Sequence, residues 1–174
     1  GEYALSFDGS NDYVQLGNVH NQGTNSFTVE TWFYVEQSGQ YQRVISKGLI
    51  PSPSNYAGYM FRIRDSDKLE WYINRSNGWY SKSVQSLEKV VQNRWHHAAG
   101  IVDRGSNVMK LYLDGVLQST TSISNYPSLD TQEKFTLGTR YQDSDGSKSE
   151  YFKGQIDEVR IWNKALTQQE IRER

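Results

Sequence analysis

The sequence predicts an all-β protein, an antiparallel β-sandwich ending in a short helix, and three observations carry that prediction. Short runs rich in apolar, aromatic and β-branched residues recur along the chain, separated by turn-forming clusters, with almost no helical periodicity. Two connections, Asp65-Ser66-Asp67 and Asp114-Gly115, carry hairpin signals. The first and last runs, Ala4 to Gly9 and Gly154 to Trp162, each set an acidic residue among apolar ones, which a strand tolerates when something offsets the carboxylate's desolvation. If these two strands lie side by side, Asp8 and Asp157 could close the domain around one shared cation.

In chain order, Leu5-Ser6-Phe7-Asp8-Gly9 reads as a strand entering a turn, with Asp12-Tyr13-Val14 behind it. Phe27 to Val35 is the first interior strand and Arg43 to Lys47 the second, followed by a loop containing Pro and Ser. Tyr59 to Arg64 and Lys68 to Ile73 flank the three-residue turn as a hairpin. Their alternation puts Phe61, Ile63, Leu69, Trp71 and Ile73 on one face, and Met60, Arg62, Arg64, Glu70, Tyr72 and Asn74 on the other. Trp95 to Val102 is a further strand, and Lys110 to Leu113 turns through Asp114-Gly115 into Val116-Leu117. Phe135 to Gly138 precedes a polar stretch, 142–149, that reads as an exposed loop. Only the tail departs from the β pattern. Thr167 with Glu170 three residues on is a capping-box signature for a short terminal helix.

Composition bounds the rest. The 174 residues suit one domain, 1–174, with a core large enough to stand without covalent staples. Nineteen basic against 20 acidic residues argue against a general affinity for nucleic acid or membrane. The absence of cysteine removes disulfides, thiolate nucleophiles and zinc-thiolate sites together. Short apolar stretches and a start at Gly1-Glu2 fit a segment of a longer secreted protein. Twelve tyrosines and 5 tryptophans against 6 phenylalanines favour half-exposed surfaces on which a ligand stacks, although sandwich strands favour aromatics anyway.

The ordered set Leu5 to Val14, Phe27 to Trp32, Ser46-Lys47-Gly48, Trp95-His96-His97, Leu111 to Gly115 and Gly154 to Trp162 resembles the laminin G-like, or concanavalin A-like, jelly-roll domains over nearly the whole chain. The resemblance implies two antiparallel sheets packed face to face, often with a structural calcium. It also implies a non-catalytic recognition module, monomeric within a larger secreted or surface protein. Fold alone does not give function.

Residue chemistry then narrows the choice. A hard cation takes six to eight oxygens, and Asp8, Asn11 and Asp157, with Asp12 in reserve, are the candidate calcium ligands. The alternative is that Asp8 and Asp157 accept hydrogen bonds from turn amides. Asp143 with Asp145-Gly146 reads as a solvated turn. A glycan needs aromatic platforms beside planar hydrogen-bonding groups. Arg75, Trp79 and Tyr80 in a polar, Gly-containing segment, Arg62, Arg64 and Tyr72 on the adjoining hairpin face, and Arg140, Tyr141 and Tyr151 at a rim are the candidate ligand-binding residues. Unpaired arginines would favour an anionic glycan, sulfated or uronic, whereas cross-strand pairing of Arg62 and Arg64 with Glu70 or Asp67 would be structural. His96 and His97 point to opposite faces and cannot share one ion. A retaining hydrolase needs two carboxylates about 5 Å apart, and Glu30 and Glu70 stand alone in their strands. The reading is a non-catalytic, extracellular polysaccharide-binding module attached to a glycan-active enzyme, with a protein-binding adhesion domain as the alternative.

Overall fold

The computed structural model describes residues 3–48, 57–75, 81–141 and 146–173. Along these the chain forms β1 (Leu5–Asp8), β2 (Val14–Gln15), β3 (Phe27–Val35), β4 (Gln42–Gly48), β5 (Gly58–Ile63), β6 (Lys68–Asn74) and β7 (Ser81–Lys89). There follow β8 (Trp95–Asp103), β9 (Val108–Leu113), β10 (Val116–Ser122), β11 (Phe135–Leu137), β12 (Arg140–Tyr141), β13 (Lys148–Ser149), β14 (Lys153–Trp162) and α1 (Gln168–Arg172). The first sheet has the order β1-β14-β3-β8-β9-β10, the second β2-β11-β4-β5-β6-β7, and β12 and β13 make a separate ribbon.

The two sheets pack through the alternating residues that the sequence assigns to one parity. Phe61, Ile63, Leu69, Trp71 and Ile73 all join the core. Trp71 lies at its centre, its ring centroid 4.7 Å from Phe61, 5.9 Å from Tyr59 and 6.1 Å from Phe27 of the opposite sheet. The indole presses so closely on β8 that a Cβ at Gly100 would come within 2.4 Å of it. Glycine is required there by contact rather than by backbone angle.

Both predicted hairpins form. Arg64 N donates to Lys68 O, with Asp67 at φ 63 closing the β5–β6 turn. Asp114 and Gly115, at φ 51 and 74, have the doubly positive angles of a primed turn between β9 and β10. The tail forms the expected capping box, Thr167 accepting from Glu170 N while the Glu170 side chain accepts from Thr167 N.

Two features depart from the sequence reading. β7 is a full edge strand that the sequence reading does not identify, because Ser81 to Lys89 offers few apolar residues and only Val84 enters the main core. The second is the shared-cation expectation. β1 and β14 do pair, but Asp8 lies opposite Lys153 and Leu5 opposite Ile156. Asp157 therefore sits four residues along β14 from Asp8's partner, roughly 13 Å away at strand rise. One ion cannot bridge that pair.

Candidate functional site

The face of the second sheet turned away from the core is polar and unusually rich in guanidinium groups. Strand alternation directs Met60 and Arg62 of β5, and Glu70, Tyr72 and Asn74 of β6, to this side, with Arg62 directly opposite Glu70. Arg62 Nε donates to Glu70 Oε2 at 2.5 Å, and Arg64 Nη1 to Glu70 Oε1 at 3.3 Å. Glu70 is only 2% exposed, while the two arginine side chains keep 19% and 27% of their surface. The carboxylate is thus the floor and the guanidiniums are the accessible layer.

Aromatic rings flank this layer. The Arg62 guanidinium lies 4.8 Å from the Tyr41 ring centroid and 6.0 Å from that of Tyr72, and Arg64 lies 5.4 Å from Tyr41. Arg64 Nη2 also donates to the Tyr41 hydroxyl at 3.1 Å. Such stacking fixes the guanidinium planes and leaves donors at their edges.

The cluster continues across β4. Arg43 pairs in register with Arg62, and its Nη2 is 2.8 Å from Glu150 Oε2, while Arg140 Nη1 is 3.6 Å from Glu150 Oε1. Burial pushes the Arg43 guanidinium down to about 10; Glu150 opposes that fall, and the charges of Arg62 and Arg140 add to it. It stays protonated at neutral pH. Four guanidiniums here share two carboxylates, so the face carries excess positive charge.

Of the sequence candidates, the structure unites Arg62, Arg64, Tyr72 and Arg140. Arg75 follows Asn74 at the other end of β6, where its charge acts on Tyr126. Tyr141 faces away from Arg140, as strand neighbours must, and its ring lies 4.8 Å from Lys134 Nζ and 5.4 Å from Lys148 Nζ. Tyr151 is half-buried beside Glu150 in sequence. Trp79 and Tyr80 lie outside the described residues, as do Asp143 and Asp145.

Sequence reasoning missed Tyr41, Arg43 and Glu150. A bulge in β4 between Arg43 and Ile45 sends both Val44 and Ile45 to the core and leaves Arg43 outward, which simple alternation does not reveal. Tyr41 precedes its strand and Glu150 follows β13 at φ 54, so neither carries a periodic signal. The pairing of Arg62 and Arg64 with Glu70 is the cross-strand arrangement the sequence allowed as the structural alternative.

The expected calcium ligands Asp8 and Asp157 both accept hydrogen bonds from backbone amides. Asp8 Oδ1 accepts from the amides of Ser10 at 2.7 Å and Asn11 at 3.1 Å, and Asp12 Oδ2 accepts from Asp8 N at 2.9 Å. These amides hold the Asp8 carboxyl below its usual range. Asp157 Oδ1 accepts from Glu158 N at 2.8 Å. Among the described residues no three His, Cys, Asp or Glu side chains gather as a metal cluster. Glu30 and Glu70, the two strand carboxylates that stand alone in the sequence, lie on different sheets and do not form a hydrolytic pair with each other. His96 and His97 separate as expected. His96 stacks on Phe33, with Nδ1 2.8 Å from Asp114 Oδ2 and Nε2 3.0 Å from Val91 O, whereas His97 lies against Trp32.

Residues 8–172 match the concanavalin A-like lectin/glucanases superfamily in its laminin G form. No curated protein matches the sequence. Among solved structures, domain 4 of AbnA, an extracellular arabinanase of Geobacillus stearothermophilus in complex with arabinotriose, superposes with a TM-score of 0.74 at 22% identity, over 98% of this chain and 75% of that one. A protein of Bacteroides ovatus described as carbohydrate binding gives 0.74 at 21% identity, over 97% of this chain but 45% of its own. The CBM40 of the Ruminococcus gnavus IT-sialidase, bound to α2,3-sialyllactose, gives 0.73 at 13% identity, over 94% and 95%. At these identities the likeness is one of fold.

Proposed function

The chain belongs to the concanavalin A-like lectin/glucanases superfamily, and from that premise we propose that it is a non-catalytic carbohydrate-binding module. In this reading it takes an acidic glycan on the arginine and tyrosine face of the second sheet. The single observation that carries the reading is the charge imbalance beside stacked rings: Arg43, Arg62, Arg64 and Arg140 around Glu70 and Glu150, with Tyr41 and Tyr72 alongside. A guanidinium edge matches a carboxylate or sulfate bidentately, and a tyrosine ring offers a flat surface to sugar C–H groups. Relatives by fold that are bound to arabinotriose and sialyllactose support a glycan ligand. Their arabinanase and sialidase settings support an extracellular module attached to a glycan-active enzyme.

Isothermal titration with α2,3-sialyllactose, arabinotriose and polygalacturonate tests the reading. Acidic ligands are expected to bind and to weaken with added salt, and Arg62→Ala to lose about tenfold in affinity. Salt-independent binding of arabinotriose alone would remove the acidic preference. Silence with every glycan would favour the protein-binding adhesion reading.

Calcium enters as a separate proposal at the Asp8, Asn11 and Asp12 turn. Added calcium should then raise the melting temperature of the wild type but not of Asp8→Asn. Equal melting with calcium and with chelator leaves Asp8 with its hydrogen-bonding role.

A further inference from the structure

The outer face of the first sheet is covered unevenly. Leu166 and Ile171, from α1 and the segment before it, bury Ala99, Ile101 and Tyr112 in a second apolar cluster, with Trp162 and Ala165 at its margin. Beyond Ile171 the cover stops. A cleft of ≈ 270 Å³ opens there, walled by Trp32, Trp95 and His97 from the sheet and by Arg94, Asp114 and Arg172 around them.

Register builds its floor. Trp32 lies opposite His97, and Tyr34 opposite Trp95, with ring centroids 5.2 and 5.8 Å apart. Both tryptophans are only half-buried. The polar wall is held in place by the β9–β10 turn: Asp114 Oδ1 accepts from His97 N at 2.9 Å, and Arg94 Nη2 is 3.4 Å from Asp114 Oδ2. The exposed Arg172 reaches from α1 to Gly115 O at 3.5 Å.

We propose that this cleft is a second carbohydrate subsite, which takes one neutral sugar ring against Trp32 and Trp95. The proposal rests on the carbohydrate reading of the domain and adds a site on the opposite sheet. Its chemistry differs from that of the arginine face. Half-exposed indoles supply the apolar platform, and a carboxylate and guanidiniums at the rim supply both acceptor and donors, which hydroxyls need together. The cleft is slightly smaller than the ~300–1,000 Å³ of drug-sized ligand pockets and so suits a single ring. With sites on opposite outer faces, one module holds two glycan segments, and binding to a polymer gains from the effective concentration of the second.

The test follows the indole N–H resonances of Trp32 and Trp95 during titration with methyl β-glucopyranoside, methyl β-galactopyranoside and methyl α-arabinofuranoside. Wild type, Trp95→Ala, Arg172→Ala and Arg62→Ala are compared. The expected result is saturable shifts of both indoles, a loss of about tenfold in affinity in Trp95→Ala, a several-fold loss in Arg172→Ala and no change in Arg62→Ala. Arg172→Ala alters an exposed side chain and remains decisive if Trp95→Ala melts early. Still indoles under all three glycosides, while Arg62→Ala weakens acidic glycan binding, would overturn the second subsite alone. Silence of both faces to every sugar would overturn it together with the carbohydrate reading. Indole shifts in a protein that ignores acidic glycans would support the subsite and remove the arginine-face proposal.

Discussion

On the outer face of the second sheet, the buried Glu70 is met by Arg62 directly opposite it and by Arg64 beyond the end of β5, and the neighbouring Glu150 by two more arginines. On the outer face of the first sheet, the buried Glu30 accepts from Trp162 Nε1 at 3.0 Å, with His97 Nε2 at 3.7 Å and Arg160 Nη1 at 3.8 Å. Both faces solve the problem of a carboxylate in a strand interior, but with different donors. One surrounds it with full charges and is left electropositive. The other brings an indole N–H and an imidazole as well as one guanidinium, and is left aromatic. The donors chosen to satisfy a buried acid thus set what the surrounding surface can attract.

The strongest way to break this comparison is to remove what both faces share. Trp71→Ala should cost about 3–5 kcal/mol in urea unfolding and weaken ligand binding on both faces alike. Binding lost on one face only would show that the faces are held independently. Glu70→Ala should cost about 2–4 kcal/mol, less than for a wholly buried pair, because Arg62 and Arg64 still meet water. Sialyllactose titration should show binding retained or strengthened in that variant, since the guanidiniums lose their internal competitor.

Asp114→Asn sharpens the contrast from the other side, with an expected loss of about 1–3 kcal/mol at neutral pH. Burial raises the Asp114 carboxyl, but the His96 hydrogen bond, the His97 amide and the Arg94 charge outweigh it and hold the group below 3.8. A carboxyl more acidic folded than unfolded stabilises the protein above its unfolded value, and the contribution is lost as pH falls through the folded one. Wild type and variant should therefore converge in stability only below pH 3.8. A gap that persists at lower pH would remove the carboxylate's charge from the account. The smallest effect is expected from Thr167→Ala, about 1 kcal/mol for the lost cap, read as a lower melting temperature.

Alternation in the β5–β6 hairpin was legible because one face is apolar and the other charged, and the arginine face follows from it directly. The first sheet hid its cleft for the opposite reason. Phe33 and Val35 enter the core while Trp32 and Tyr34 face outward, so a run that is apolar on both sides gives no period to read. Bulges hid the rest. In β14 the pairing shifts between Asp157 and Arg160, with Glu158 at φ 52, so Asp157 and Arg160 both face outward, opposite Trp32 and Glu30. No feature of the sequence announces that extra residue. The distance between Asp8 and Asp157 depends on pairing register, which motifs at two ends of a chain do not encode.

The strand order has a consequence for how the molecule is made. β14 lies between β1 and β3, so the last of the described strands in chain order fills a gap between two of the first. Until it does, β3 has an open edge, and a chain of high contact order waits with sticky backbone groups unpaired. The aromatic floor of β3 and β8 can be laid early, but α1 follows β14 and can cover its share of the sheet only afterwards. Folding of this domain should be slow and late-sealing, with the aromatic sheet the last surface to be closed.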